Sequence, residues 1–183
     1  MKKFTCLFVC LIGVLAFSQT KYLTRTGEVT FEASVPAFEE VKASNKSVTA
    51  ILNTDNGEFA ALVFVKGFRF KNALMEEHFN ENYAESDTYP KATFKGKIKD
   101  FDWDKISNES TVVSFSGTLD FHGQTKYLEN LSLTMSKNEI NSLVLMGNFD
   151  VNVDDFDIKI PKIVSNKVSK TVNVDFNFVL NKK

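Results

Sequence analysis

Past residue 10 this chain of 183 residues has no cysteine, because both of its thiols, Cys6 and Cys10, fall in the opening segment. If that segment is removed on export, disulfides, thiolate nucleophiles and cysteine metal ligands all go with it. Histidine is nearly as scarce: a zinc site would have to complete three or four ligands around His78 and His122 with carboxylates. Only 8 Gly and 3 Pro punctuate the sequence, which argues against linkers, low-complexity tracts and many short strands. Neither sign of charge is in excess, with 22 basic against 23 acidic side chains, so there is no electrostatic footprint for nucleic acid. No apolar run reaches the roughly 20 residues that cross a bilayer as a helix, so no stable membrane anchor is expected.

What the first residues do contain is a leader pattern. "MKK" is a basic start, "FTCLFVCLIGVL" an apolar stretch, and Ala16-Phe17-Ser18 a small-x-small site. Residues 1–18 are therefore expected to be a cleaved signal peptide and residues 19–183 one exported domain, periplasmic or secreted. "LFVC" lacks the small residue that a lipoprotein site places before its cysteine. A mature chain without disulfides must be held by its core alone, and this length suffices for one.

Phenylalanine is the outlier: 18 in the chain, beside one Trp and four Tyr. Phe has no polar handle, so it belongs in a core or against an apolar ligand. Val29, Phe31, Ala33 and Val35 alternate with polar residues, the period of a half-buried strand. The rhythm recurs in "TVVSFSGTLDFHG" and in "TVNVDFNFVLN", whose Val172, Val174, Phe176, Phe178 and Leu180 share one face. Asn56-Gly57 and His122-Gly123 read as hairpin turns, "EFAALVFVKGF" as a strand apolar on both faces, and Pro90 as a strand start. Long strands with few breakers predict an all-β fold, an extended antiparallel barrel of about eight strands with one short helix.

The helix is expected in "NALMEEHFNENY", where Asn72 can cap and Leu74, Met75, His78, Phe79 and Tyr83 fall on neighbouring turns. At about ten residues it is marginal alone and has to dock its apolar face on the barrel. Met75 fits equally a ligand gate and ordinary packing. Glu81, three residues beyond His78, is placed to pair with it.

Three stretches, "TYPKATFKG" at 88–96, "GTLDFHGQTK" at 117–126 and "FDIKIPK" at 156–162, resemble in order and spacing the YceI-like family of bacterial periplasmic polyisoprenoid-binding proteins. The resemblance implies a lipocalin-like barrel with a long isoprenoid or quinone-like tail in an apolar tunnel. In such a tunnel the wall would be Phe31, Phe64, Phe94, Phe115, Leu119, Leu143 and Phe149. Phe68, Phe70, Met75 and Phe79 would close one end. Read from the residues alone, the same side chains equally fill a solid core.

The expected function is thus a carrier that sequesters a long apolar lipid, with no cofactor and no reaction. One alternative is a metal or redox accessory protein using His78 and His122, although "EEHFNE" has no chelating spacing. The other is a structural or interaction barrel with a solid core. An enzyme is not expected: there is no Gly-x-Ser-x-Gly elbow, and Ser114, Ser116 and Thr118 fall on the outer face of their strand. "NVDDFD" lacks the glycine and terminal glutamate of a calcium loop, so its acids read as a solvated strand junction. An exposed sheet edge would admit pairing with a second copy, so a homodimer is among the expectations.

Overall fold

The computed structural model describes residues 20–183, so the expected leader lies outside the described residues. Nine strands form one antiparallel sheet: β1 (Lys21–Ser34), β2 (Lys42–Asn53), β3 (Glu58–Phe64), β4 (Arg69–Phe70), β5 (Lys91–Ile98), β6 (Thr111–Phe121), β7 (Gln124–Lys137), β8 (Leu143–Asn152) and β9 (Val168–Lys182). β4 is a two-residue addition against Ala43 and Ser44 of β2. The other eight make a meander in which β1 pairs with both β2 and β9, and the sheet closes into a barrel. Closure takes away the free edge on which pairing with a second copy was expected, since every long strand already has two neighbours.

The alternation in sequence becomes inside and outside of the wall. On β9, Phe176, Phe178 and Leu180 are buried between exposed Asn177, Val179 and Asn181. On β1 the inward parity changes along the strand: Tyr22 and Thr24 are buried, then Gly27, Val29 and Ala33. The switch falls at the register shifts between Thr24, Gly27 and Val29, where one bulge re-aims every later side chain.

The turns follow their residue types. Gly57 closes the β2–β3 turn at φ +74 with its N–H on the Asn53 carbonyl at 2.9 Å. His122 (φ 48) and Gly123 (φ 74) are both left-handed, the two-residue type I′ turn that suits the twist of flanking strands.

The two ends of the barrel differ. At one, Leu52, Ile98, Leu133, Met135, Leu143, Leu145 and Leu180 are at most 1% exposed, and the β5–β6 connection closes over them. There Trp103 packs on Tyr22 at 5.0 Å, with the Lys137 ammonium over its ring at 4.1 Å. At the other end the connections are 35–41, 65–90, 122–123 and 153–167. The second of these carries α1 (Ala73–His78), which runs on into one π turn, Phe79–Tyr83.

Candidate functional site

The second end is hollow. A cavity of about 380 Å³ opens there, walled by inward residues of β1, β3, β5, β6, β8 and β9 and roofed by the helix and the 153–167 connection. Almost all of its wall is carbon; the charged or titratable side chains that reach it, Glu39, His78, Tyr83 and Lys167, belong to the connections around the mouth.

A cluster of rings forms one side of that mouth. Phe31 meets Phe68 at 5.0 Å, Phe79 at 5.1 Å and Phe70 at 5.7 Å, and Phe70 meets Phe79 at 5.2 Å. Polar contacts hold the helix over it. The Asn72 side-chain oxygen accepts from the N–H groups of Leu74 (3.0 Å) and Met75 (3.4 Å), and its amide donates to Glu39 (3.1 Å). Glu76 accepts from Arg69 Nη1 and from the Phe70 N–H, both at 3.1 Å, which ties α1 back to β4.

The opposite side of the mouth is pinned by His122. Its Nδ1–H donates to the Phe156 carbonyl at 2.7 Å, which fixes the tautomer, and its ring packs on Tyr89 at 4.6 Å. Nε2 faces Glu85 at 3.8 Å. One imidazole therefore joins the β6–β7 turn to the segment that carries Phe156, a cavity residue, and to the loop after the helix.

The acids of "NVDDFD" are structural. Asn152 and Asp155 make a reciprocal capping box on the 3-10 turn Val153–Phe156. Asp155 binds Lys126 (2.9 Å), Asp154 binds Lys170 (2.8 Å), and the Gln124 amide donates to Asp157 at 2.6 Å. The Lys126 ammonium, with the Asn152 N–H, holds the Asp155 carboxyl below its ordinary value. These bonds clamp the roof to β7 and β9.

Of the side chains expected to bind lipid, Phe31, Phe94, Leu119 and Phe149 line the cavity from the strands, and Phe68, Phe70, Met75 and Phe79 line it from the mouth. The other three lie elsewhere. Phe64 points to solvent, 52% exposed under the Lys91 ammonium, because Phe59, Ala61 and Val63 take the inward positions of β3 and the next residue must face out. Phe115 faces inward but lies below the cavity, wedged 4.8 Å from Phe94 and 6.1 Å from Phe59. Leu143 starts β8 at the closed end, fully buried.

Some lining residues were not singled out in the sequence. Phe176 and Phe178 carried the inward period of β9, and depth decides their part. Phe156 ends the 3-10 turn Val153–Phe156, and Ile158, Ile160 and Val164 follow in a segment without strand or helix; beyond the "FDIKIPK" resemblance, the signal there was the alternation in "FDIKI". Leu74 of the proposed apolar face is 56% exposed, and His78 makes no ion pair with Glu81 among the described residues. His78 and His122 lie on different elements, and no group of three His, Cys, Asp or Glu is arranged to hold a metal among the described residues. The solid-core alternative holds for one half of the barrel only.

A closed antiparallel meander, solid at one end and holding an apolar cavity at the other, defines a barrel of the lipocalin-like class. The chain belongs to the YceI-like domain family, whose sequence profile matches residues 22–180. A polyisoprenoid-binding domain from Saccharophagus degradans implicated in plant cell wall breakdown has the same fold at 17% identity and a TM-score of 0.77, over 90% of this chain and 99% of that one. Burkholderia cenocepacia BcnA is similar at 15% identity and TM-score 0.68, over 85% and 96% of the two chains. The Campylobacter jejuni YCEI protein is similar at 16% and 0.60, over 81% and 88%. No curated protein sequence matches the chain.

Proposed function

We propose that this protein is an exported carrier that sequesters an isoprenoid, or a similar long apolar lipid such as a quinone tail, by shape and hydrophobic burial, without a reaction. The observation that carries the reading is the cavity: about 380 Å³ of carbon-walled space, open at one end, with its charged side chains confined to the mouth. The polyisoprenoid-binding domain of the same fold supports it. Export rests on the basic, apolar and small-x-small order of residues 1–18, and the compartment proposed for the carrier is the periplasm, with secretion the alternative.

The energy is comparable to the cost of association. At about 0.8 kcal/mol per buried CH₂ a five-carbon isoprene unit yields roughly 4 kcal/mol, so three units yield about 12 kcal/mol against an association cost of about 4 to 15 kcal/mol. A polar head at the mouth adds to this without being buried.

Organic extraction of protein purified from its native host, followed by mass spectrometry, tests the reading. A prenyl lipid in stoichiometric amount is expected. Protein that carries none, and takes up neither prenyl alcohol nor quinone when offered, refutes it. Amino-terminal sequencing of the periplasmic protein is expected to begin at Gln19.

A further inference from the structure

The cavity ends on a floor of phenylalanine. Phe94, Phe176 and Phe178 form its lower end, while Phe59 and Phe115 lie beneath them, outside the lining. The rings are in mutual contact: Phe94 with Phe115 at 4.8 Å and Phe149 at 5.4 Å, Phe178 with Phe176 at 5.1 Å and Phe59 at 5.8 Å. Phe59, Phe115, Phe176 and Phe178 are at most 3% exposed.

So many rings fit inside one barrel because the wall is thinned beside them. A Cβ on Gly27 would stand 2.4 Å from Phe178, one on Gly96 2.7 Å from Phe115, and one on Gly147 2.8 Å from Phe176. Each of these glycines faces inward, and each gives up its side-chain volume to a floor ring. The floor is therefore built into the wall at several strands, and a chain entering from the mouth stops there.

The volume says where. An apolar cavity of about 150 Å³ accepts benzene, six carbons, so this one admits roughly fifteen carbons, or three isoprene units. Glu39, His78 and Lys167 stand at the mouth, so the apolar tail enters first and a polar head stays outside.

We propose that the phenylalanine floor is a chain-length gauge: the cavity seats the terminal three or so isoprene units of a linear chain, and longer ligands leave their remaining units outside the barrel. The proposal rests on the lipid-carrier reading and narrows it, from a tail that runs the length of a tunnel to a short chain or the end of a long one. Each methylene that enters raises affinity about fourfold, and each that stays outside adds little. Ala61, paired directly across from Phe94 on β3 and lining the cavity, stands at floor level and sets the same limit from the opposite strand.

The test is competition of prenyl alcohols of two, three, four and eight units against dansyl-tagged farnesol, on the mature protein. Affinity is expected to rise on the order of a thousandfold from two units to three, then change less than about threefold at four and eight. Phe94→Ala opens the floor toward Phe59 and Phe115, so the rise is expected to continue to four units. Ala61→Leu fills floor-level space, and the break moves down to two. Ala61→Leu adds apolar volume to an open cavity and removes no core contact, so it carries the test if Phe94→Ala does not fold. Affinity that climbs tenfold or more from three units to four and on to eight, or a break point unmoved in Ala61→Leu, overturns the gauge and leaves the carrier reading standing. No binding at any length overturns both.

Discussion

The cover over the mouth depends heavily on one side chain, Asn72. α1 has six helical residues before its π turn, too few to be stable alone, and Asn72 supplies two of its initial hydrogen bonds and a third to Glu39. Asn72→Ala removes a helix cap worth about 1 kcal/mol and an exposed hydrogen bond worth about 0.5 kcal/mol. The sum is close to a factor of ten in the closed-to-open equilibrium of the segment. The segment touches the barrel chiefly through Phe79 on Phe31, Phe68 and Phe70, at one end of the fold. Its opening is therefore local, and the loss is expected there and not in the closed half. By hydrogen-exchange mass spectrometry, amides of residues 73–83 should exchange about tenfold faster, with those of β6 to β9 unchanged. Dissociation of a bound prenyl alcohol should quicken by a similar factor. If exchange accelerates equally in β6 to β9, the helix belongs to the cooperative core and does not act as a cover. Unchanged exchange in 73–83 would mean that something other than the cap holds it.

Three further perturbations follow from the same geometry. Gly96→Ala places a methyl 2.2 Å from the Ser116 carbonyl oxygen, a backbone atom that cannot step aside; a loss of about 2 to 3 kcal/mol should appear as a melting point lower by about 5 to 10 °C, and wild-type stability would remove the argument for a glycine-thinned wall. Phe64→Ser, at the half-exposed position outside the cavity, should leave prenyl-alcohol affinity within about twofold, whereas a tenfold loss would put that ring back in the site. Asp120 accepts from Thr125 (2.7 Å) and Thr93 (2.8 Å) and pairs with Lys95, contacts that hold its carboxyl below the ordinary range. The stability it adds is complete above the unfolded value of about 3.9 and is lost as pH falls through the lower folded value. Asp120→Asn should therefore flatten the melting-point curve below about pH 4, and a curve parallel to wild type would show that the contacts contribute nothing.

The barrel was legible in the sequence because its signals are local. Period-2 alternation needs only neighbouring residues; so do the Asn56-Gly57 and His122-Gly123 turns, Pro90 at the head of β5, and an Asn72 positioned to cap. What failed needed facts from across the sheet. "EFAALVF" is apolar on both faces, so its composition carries no parity, and Phe64 went to the wrong side. Alternation shows that Phe115 and Leu143 face inward and is silent about depth, which decides between cavity wall, floor and closed end. The change of inward parity on β1 comes from a bulge opposite β2. The roof between Phe156 and Val168 has only the short "FDIKI" alternation and forms no strand, so its contribution shows only when the chain is folded back over the mouth.

The choice between hollow and solid was the least legible of all, because the same side chains serve both, and energy explains how one barrel can be each in turn. A closed void of about 380 Å³ would forfeit about 9 kcal/mol of packing at roughly 24 cal/mol per Å³, on the scale of a whole domain's net stability of about 5 to 15 kcal/mol. Partial opening at the mouth lowers that cost without abolishing it, so the hollow end has to be carried by the rest of the molecule. The solid end, with its fully buried aliphatic layers, does this only if the two ends are mechanically separated. The phenylalanine floor is that separation: it lets leucine, methionine and isoleucine pack to crystal-like density on one side while the other keeps space for a guest. A substitution that breached the floor would on this argument do two things at once, lengthen the seat for the ligand and loosen the closed end. Stability and capacity are thus coupled through the same six rings, Phe59, Phe94, Phe115, Phe149, Phe176 and Phe178.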